Sequence, residues 1–191
     1  MPATFLVSDT HFGHAGVCRF THEDTGVKIR PWTDPAEMDE EMVKRWNETV
    51  RPNDKVYHLG DVVINRKALS IMSRLNGDKV LIRGNHDIFR DDEYRQYFRE
   101  LRAYHVLNGM ILSHIPIHPE SLGRFGTNIH GHLHTRRVMA EVWGEYVIDT
   151  RYHCVCVEQT DFRPILFEDV IKRIKEEGGE VGFKNGNGPT M

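Results

Sequence analysis

The sequence has little cysteine, no long apolar stretch and no excess of charge of one sign. Its 191 residues include 3 Cys, an odd number that is too small for a disulfide framework. No run approaches the ~20 consecutive apolar residues of a membrane-spanning helix, and the first residues lack the basic segment of a secretory signal. We therefore expect a reduced, cytoplasmic protein that has no membrane partner.

Charged residues are plentiful but balanced. Lys and Arg number 25 against 28 Asp and Glu, for a net charge of −3, which offers no general attraction to a polyanion. Nucleic acid is therefore expected only as a substrate. The length fits one domain with a full core, and the sequence predicts a single domain over residues 1–179 followed by a flexible Gly- and Asn-rich tail, 180–191.

Strand-like apolar runs alternate with helical patterns along the chain. The runs that end abruptly in polar residues cover 4–8, 55–59, 79–83, 109–113 and 128–130. Helices are predicted from 35 to about 50, where apolar residues recur every four positions, and over 66–75, within 91–101 and over 167–177. Two late runs, 146–150 and 154–158, are predicted to form an antiparallel pair. This alternation predicts an α/β fold.

The 12 histidines are concentrated where the apolar runs end. The polar residues at these ends are Asp9, His11, Asp61, Asn85, His86, His114, His132 and His134. In an α/β sheet the loops that follow the strands gather in one crevice, so we expect these side chains to meet. Imidazole, carboxylate and amide groups together suit Mn, Fe, Co, Ni or Zn better than a thiolate site would.

The spacing of these residues favours two metal ions. Asp9 and His11 are two residues apart, as are His132 and His134, and on an extended strand such pairs point to the same side. Seven ligands exceed what one tetrahedral ion uses. A carboxylate such as Asp61 can bridge two cations ~3.5–4 Å apart, the arrangement of two-metal hydrolysis.

The ordered set resembles the calcineurin-like metallophosphoesterase superfamily over residues 4 to about 134. The matching segments are Asp9-Thr10-His11, Gly60-Asp61, Gly84-Asn85-His86-Asp87, His114 and Gly131-His132-Leu133-His134. The resemblance implies a four-layer α/β/β/α sandwich with a dinuclear centre. It implies one metal on Asp9, His11, Asp61 and His134, and the other on Asp61, Asn85, His114 and His132. His86 would lie beside the substrate, where it would assist the leaving group or hold the phosphate.

The expected function is metal-dependent hydrolysis of a small phosphate ester by attack of a metal-bridging hydroxide. A phosphodiester is favoured over a monoester as substrate. Manganese is the expected metal, with iron, zinc, nickel or cobalt as alternatives. One departure argues against a protein phosphatase, because Ile64 and Asn65 stand where those relatives carry an Asp that pairs with the catalytic His and an Arg that binds phosphate.

Two other functions fit the motifs. The same segments resemble recombination-repair exonucleases, although this chain has no room for their capping and DNA-binding regions. A non-catalytic binding module of the same fold, like the retromer subunit, is the other alternative, but such proteins lose ligands that are all present here. Intact metal binding without hydrolysis of any ester would favour the module.

The remaining histidines and cysteines have simpler interpretations. His14 follows Asp9-Thr10-His11 closely enough either to contact substrate or to lie on a solvated loop. His58 and His130 lie within apolar runs and are predicted to be core residues or to support ligands. Cys154 and Cys156 are expected to be small buried residues on one strand face and not metal ligands.

Overall fold

The computed structural model describes residues 1–184, and within them strands and helices alternate. The strands are β1 (Thr4–Val7), β2 (Lys55–His58), β3 (Asp78–Ile82), β4 (Glu100–Arg102), β5 (His105–Leu107), β6 (Met110–Ser113), β7 (Asn128–His130), β8 (Met139–Val142), β9 (Glu145–Ile148), β10 (Tyr152–Cys154) and β11 (Ile165–Leu166). The helices are α1 (Pro35–Thr49), α2 (Asp91–Tyr94), α3 (Pro119–Leu122) and α4 (Phe167–Glu176), with 3₁₀ helices over Val17–Arg19, Arg66–Arg74 and Val157–Gln159.

The strands form two main sheets and one separate ribbon. The first sheet has the order β11-β1-β2-β3-β4, in which β1 to β4 are parallel and β11 is antiparallel to β1. The second has the order β10-β7-β6-β5, with β10, β7 and β6 parallel. Strands β8 and β9 pair only with each other in the described chain.

The two sheets pack face to face between outer layers, which confirms the four-layer α/β/β/α fold. In β1, Leu6 belongs to the core between the sheets, whereas Phe5 and Val7 face the cluster under α1. This alternation is what a sheet covered on both faces requires. On the far side of the second sheet, Leu122 of α3 packs with Tyr152 of β10.

Helix α1 shows how directly the sequence determines this layer. Asp34 accepts a hydrogen bond from the Ala36 amide at 3.0 Å and caps the helix. Met38, Met42 and Trp46 recur every four residues, and all three are buried against the first sheet. The predicted helices α1 and α4 are thus confirmed.

Three local predictions differ from the structure. Residues 66–74 form a 3₁₀ helix, begun by the Asn65 side chain accepting from the Lys67 amide. The helix predicted within 91–101 covers only Asp91–Tyr94, because β4 begins at Glu100. The antiparallel pairing of 146–150 with 154–158 is wrong, since β9 pairs with β8 and β10 lies parallel to β7.

The segment predicted as a tail begins with residues that are bonded to the second sheet's loops. The Thr127 hydroxyl donates to the Glu180 carbonyl at 2.6 Å, and the Gly126 amide donates to the Gly182 carbonyl at 2.9 Å. The rest of that segment, 185–191, lies outside the described residues, and the single domain over 1–179 stays a prediction. Among residues 1–184, every helix is too short or too polar to cross a bilayer.

Candidate metal centre

All eight residues predicted for the site lie just beyond the ends of five parallel strands. Asp9 and His11 follow β1, Asp61 follows β2, Asn85 and His86 follow β3, His114 follows β6, and His132 and His134 follow β7. These strands run parallel within their sheets, so their carboxyl ends reach one edge of the sandwich. The structure therefore brings the predicted residues together.

Three of them form what we call the first metal group: Asp9, His11 and His134. One ligand atom from each lies within 4.8 Å of the others. The Asp9 Oδ1 atom is 3.7 Å from His11 Nε2 and 3.8 Å from His134 Nε2. Asp9 and His11 are buried, and His134 is half-buried.

The second metal group consists of Asp61, His114 and His132, with Asn85 beside it. Ligand atoms of the first three again lie within 4.8 Å of one another. His114 Nε2 is 3.4 Å from Asp61 Oδ2 and 2.9 Å from Asn85 Oδ1. His114 Nδ1 lies 2.7 Å from the Leu59 carbonyl oxygen, which can only accept, so Nδ1 carries the proton. Nε2 faces both oxygens, and although burial acts to lower the pKa of His114, the Asp61 and Asp9 carboxylates outweigh it and raise that pKa. A metal ion bound there would take the place of the Nε2 proton.

Asp61 connects the two groups. Its Oδ1 atom accepts from the His86 amide at 2.9 Å. The other oxygen, Oδ2, faces both His11 Nε2 at 3.7 Å and His114 Nε2 at 3.4 Å. One carboxylate oxygen thus lies within 4 Å of a histidine from each group; that it bridges two metal ions stays a prediction.

The donor atoms fit metal ions better than they fit one another. Within residues 1–184, Asp9 Oδ1 and both ring nitrogens of His11 are buried without a hydrogen-bond partner. Buried polar atoms are normally paired. A tetrahedral ion with bonds of about 2.1 Å holds its ligand atoms about 3.4 Å apart, close to the separations seen here. Nitrogen and carboxylate donors also suit a transition metal.

The electrostatics of the site favour ionised carboxylates. Burial acts to raise the pKa of Asp9, but the imidazoles of His11, His114 and His134 outweigh it, and the net pKa is lowered. For Asp61 too, His114 outweighs burial and lowers the pKa. The carboxylates of Asp9 and Asp61 are therefore negatively charged at neutral pH.

The ligand loops have unusual backbone geometry. Asp9, His11, Asp61, His132 and His134 all have positive φ, between 49° and 68°. This left-handed conformation costs a non-glycine residue about 1–3 kcal/mol and persists where the surroundings enforce it. These residues therefore converge through tight turns beyond the strand ends, and the prediction that an extended strand aligns them gives the wrong reason.

Two glycines leave room for the carboxylates of Asp9 and Asp61. A Cβ atom on Gly131 would collide with Ser8 Oγ and Asp9 Oδ2. A Cβ on Gly84 would collide with the Asp61 carboxylate. The glycines of these segments are thus needed because a ligand side chain passes directly against the backbone.

Asp87 joins two of the ligand loops. Its carboxylate accepts from the backbone amides of Asp61 at 2.8 Å, Val62 at 3.0 Å and Gly84 at 2.8 Å. Burial raises the pKa of Asp87 despite these bonds. The last residue of Gly84-Asn85-His86-Asp87 therefore holds the loop after β2 against the loop after β3.

Sequence reasoning missed a buried ion pair behind the first metal group. Glu158 Oε1 lies 2.9 Å from His134 Nδ1 and also accepts from Arg30 Nε at 2.8 Å. Arg30 is fully buried, and its guanidinium donates to the carbonyls of Asp9 at 2.6 Å and Thr10 at 2.8 Å. The pair thus orients His134 and fixes the backbone that carries Asp9. Glu158 ends a predicted apolar run, so the search for polar residues at the ends of such runs could have identified it. Arg30 does not lie at the end of an apolar run, and the sequence does not mark it.

The Asp9 oxygen that faces away from the group is also held. Asp9 Oδ2 accepts from Ser8 Oγ at 2.5 Å, from the His132 amide at 2.8 Å and from Cys156 Sγ at 3.1 Å. Cys154 and Cys156 are buried, as predicted, and burial raises the pKa of the Cys156 thiol. Cys156 therefore acts as a neutral donor to Asp9, a role that strand alternation did not reveal.

Four histidines outside the two metal groups form two sets. The rings of His14 and His86 lie 5.8 and 5.7 Å from that of His11; His86 is exposed and His14 half-buried. His58 and His130 are buried, which confirms that they are core residues. His58 Nε2 bonds to Thr10 Oγ1 at 3.0 Å, so it supports the residue between two ligands.

Comparisons with known proteins identify the family of this chain. A model of the calcineurin-like phosphoesterase family matches residues 4–154. The uncharacterized protein MJ1445 of Methanocaldococcus jannaschii is 32% identical over 183 residues, which cover 92% of this chain and 93% of that protein. A solved structure of a protein of unknown function, AQ665 from Aquifex aeolicus, matches with a TM-score of 0.64 and 25% identity, over 91% of this chain and 100% of that one. The chain therefore belongs to the calcineurin-like phosphoesterase family.

Proposed function

We propose that the protein hydrolyses small phosphate esters with two transition-metal ions, one at each metal group. The observation that best supports this is Asp61 Oδ2, which faces His11 in one group and His114 in the other. When bound, such ions supply an acidified water and positive charge for the phosphoryl oxygens. We propose manganese as the metal, and the mixed nitrogen and oxygen donors also fit the alternatives iron, zinc, nickel or cobalt.

The exposed imidazole of His86 is the proposed donor to the leaving group. Hydrolysis forms a bond from a water oxygen to phosphorus and breaks the ester P–O bond, so the departing oxygen needs a proton. His86 lies at the edge of the first metal group, and its backbone is fixed by the amide bond to Asp61 Oδ1. A solvated imidazole in that position can deliver the proton and recover it from water.

A phosphodiester is the proposed substrate class. A phosphomonoester carries close to two negative charges at neutral pH, whereas a diester carries one. Asn65, at the position where protein phosphatases carry a phosphate-binding Arg, instead caps the 3₁₀ helix through its bond to Lys67. The lower positive charge around the site favours the singly charged ester.

We also propose a cytoplasmic location. Cys18, Cys154 and Cys156 are free thiols in the described structure. Free buried thiols are typical of proteins from reducing compartments.

The test uses metal-stripped protein with added Mn²⁺ and two chromogenic substrates, bis(4-nitrophenyl) phosphate and 4-nitrophenyl phosphate. We expect faster cleavage of the diester by the wild type. An Asp61→Asn variant serves as the blank, and a His86→Ala variant should lower kcat while two metals stay bound. Faster monoester cleavage would contradict the diester preference. No cleavage of either substrate by protein with two metals bound would contradict the hydrolase proposal.

A further inference from the structure

An open cleft of about 770 Å³ reaches the first metal group. His134 is one of its lining residues. Phe20 and Ile29 line it from the loop that follows the first 3₁₀ helix, and Met139 and Ile148 line it from the β8–β9 ribbon. A phosphate held at the metal groups would therefore have its organic substituent at the entrance of this cleft.

Phe20 is an exposed aromatic ring directly beside the metal ligands. Its side chain is 44% exposed. Its ring centroid lies 6.3 Å from those of both His134 and His14, in edge-to-face arrangements. Together with Ile29, Met139 and Ile148 it gives the cleft an apolar surface bordered by polar side chains, as in ligand-binding grooves.

The ribbon presents a second apolar surface to the same cleft. Met139 and Ile148 are direct partners across the β8–β9 pair, so their side chains lie on the same face. They are 48% and 47% exposed. In the described chain this ribbon joins neither main sheet, and the pair is thus available to pack on a bound group.

The cleft also contains charged side chains that limit what can enter. Glu23, Asp24 and Arg136 line it together with His22. An acyl chain would cover these groups without hydrogen-bonding them, which is unfavourable. A planar aromatic group that carries hydroxyls would pack on the apolar walls and donate to the carboxylates. A nucleoside has both features.

We propose that this cleft binds the nucleoside part of a nucleotide phosphodiester. The base packs against Phe20 and the Met139–Ile148 pair, and the sugar hydroxyls lie toward Glu23 and Asp24. This inference rests on the proposed function, because it names the substrate class of the same site.

The test compares two diesters that release the same chromophore. They are methyl 4-nitrophenyl phosphate and the 4-nitrophenyl ester of thymidine 5′-monophosphate, and they differ only in the retained group. In the wild type, kcat/KM for the thymidine ester should exceed that for the methyl ester at least tenfold. Phe20→Ala should reduce this ratio about tenfold, the usual effect of losing a stacking partner, while Phe20→Trp keeps it.

A matched control removes an exposed aromatic ring that does not line the cleft. Trp143, in the turn of the ribbon, is 99% exposed, and Trp143→Ala should leave the ratio unchanged. A wild-type ratio near one, or a ratio insensitive to Phe20→Ala, would overturn the inference.

A binding measurement separates this inference from the proposed function. If neither ester is cleaved, the hydrolase proposal fails, and calorimetry with the Mn²⁺-loaded protein then decides. Tighter binding of thymidine 5′-monophosphate than of inorganic phosphate, lost in Phe20→Ala, would support the cleft. Equal binding of the two would overturn it.

Discussion

The two metal groups differ in how firmly the protein holds them. In the first group, Asp9 Oδ2 accepts three hydrogen bonds, and Glu158 fixes His134. In the second group, Asp61 and His114 are buried, but Asn85 is exposed. Side chains that the protein already holds in place lose less conformational freedom when they bind an ion. We therefore expect the first group to bind its ion more tightly.

The difference follows from which parts of the chain build each group. The first group combines the loop after β1 with residues more than a hundred positions later, including His134 and Glu158, and Arg30 connects them. The second group is built from the loops after β2, β3, β6 and β7. The buried Arg30–Glu158 pair thus supports the first group from behind, whereas the second group ends at the exposed Asn85.

Loss of the shared carboxylate should affect both groups at once. Asp61→Asn removes the negative charge that lies between them, so we expect both ions to bind more weakly, although Asp9 still supplies a charge to the first group. Hydrolysis should fall by about three orders of magnitude, since metal-supplied charge contributes several kcal/mol to the transition state. Metal content by mass spectrometry and diester hydrolysis measure the two effects. Loss of one ion with full retention of the other would contradict the bridging role.

Glu158→Gln should weaken the first group selectively. Glutamine keeps the shape but removes the charge that orients His134 and pairs with Arg30. Loss of such a supporting partner typically costs 10–100-fold in metal affinity. Calorimetric titration with Mn²⁺ should show the tighter of two binding events weakened, and the nitrogen chemical shifts of His134 should report a changed tautomer. Glu40→Gln is the matched control, because that carboxylate pairs with Arg74 on the exposed surface. Equal effects of the two variants would contradict the support role.

Asn85→Ala should have the opposite selectivity and a smaller effect. The amide oxygen is a neutral ligand at an exposed position next to His114. We expect the weaker binding event to lose up to about tenfold in affinity, consistent with one good hydrogen-bond-strength contact, and the tighter event to stay unchanged. Asn85→Asp should restore binding. If Asn85→Ala instead weakened the tighter binding event, Asn85 would not belong to the second group.

The sequence could predict the site better than the details around it. Polar residues at strand ends such as Asp9 and His114 were identifiable because parallel strands bring their carboxyl ends together. The alternation of side chains along an extended strand did not explain why they converge. Asp9 and His11 have positive φ, and their backbone amides donate to the carbonyls of Gly60 and Asp61 in a distant loop. The role of Arg30 could not be predicted from the sequence, because only the folded chain brings it to the Thr10 carbonyl.

The late strands show the same limit for the fold. The runs 146–150 and 154–158 are close in sequence, which favours a hairpin. The structure instead places Tyr152–Cys154 beside β7, where His153 pairs with the buried Ile129. Burial between sheets outweighed proximity along the chain. Strand β9 was left to pair with β8, a segment that no strand prediction covered.

The buried support of the first group should also make the stability of the protein depend on pH. The Thr10 hydroxyl donates to the Val62 carbonyl at 3.0 Å and accepts from His58 Nε2, and burial lowers the pKa of His58 to about 3. The unfolded chain takes up this proton near pH 6.5, whereas the folded chain does so only near pH 3. The free energy of unfolding should therefore fall as pH drops through this window, by up to about 1.4 kcal/mol per pH unit. His58→Gln keeps a donor for Thr10 without titrating, so the metal-free variant should lose less stability than the metal-free wild type between pH 6.5 and 4.5. Urea denaturation at several pH values measures the difference, and parallel curves for the two proteins would show that His58 is not held neutral beneath the first metal group.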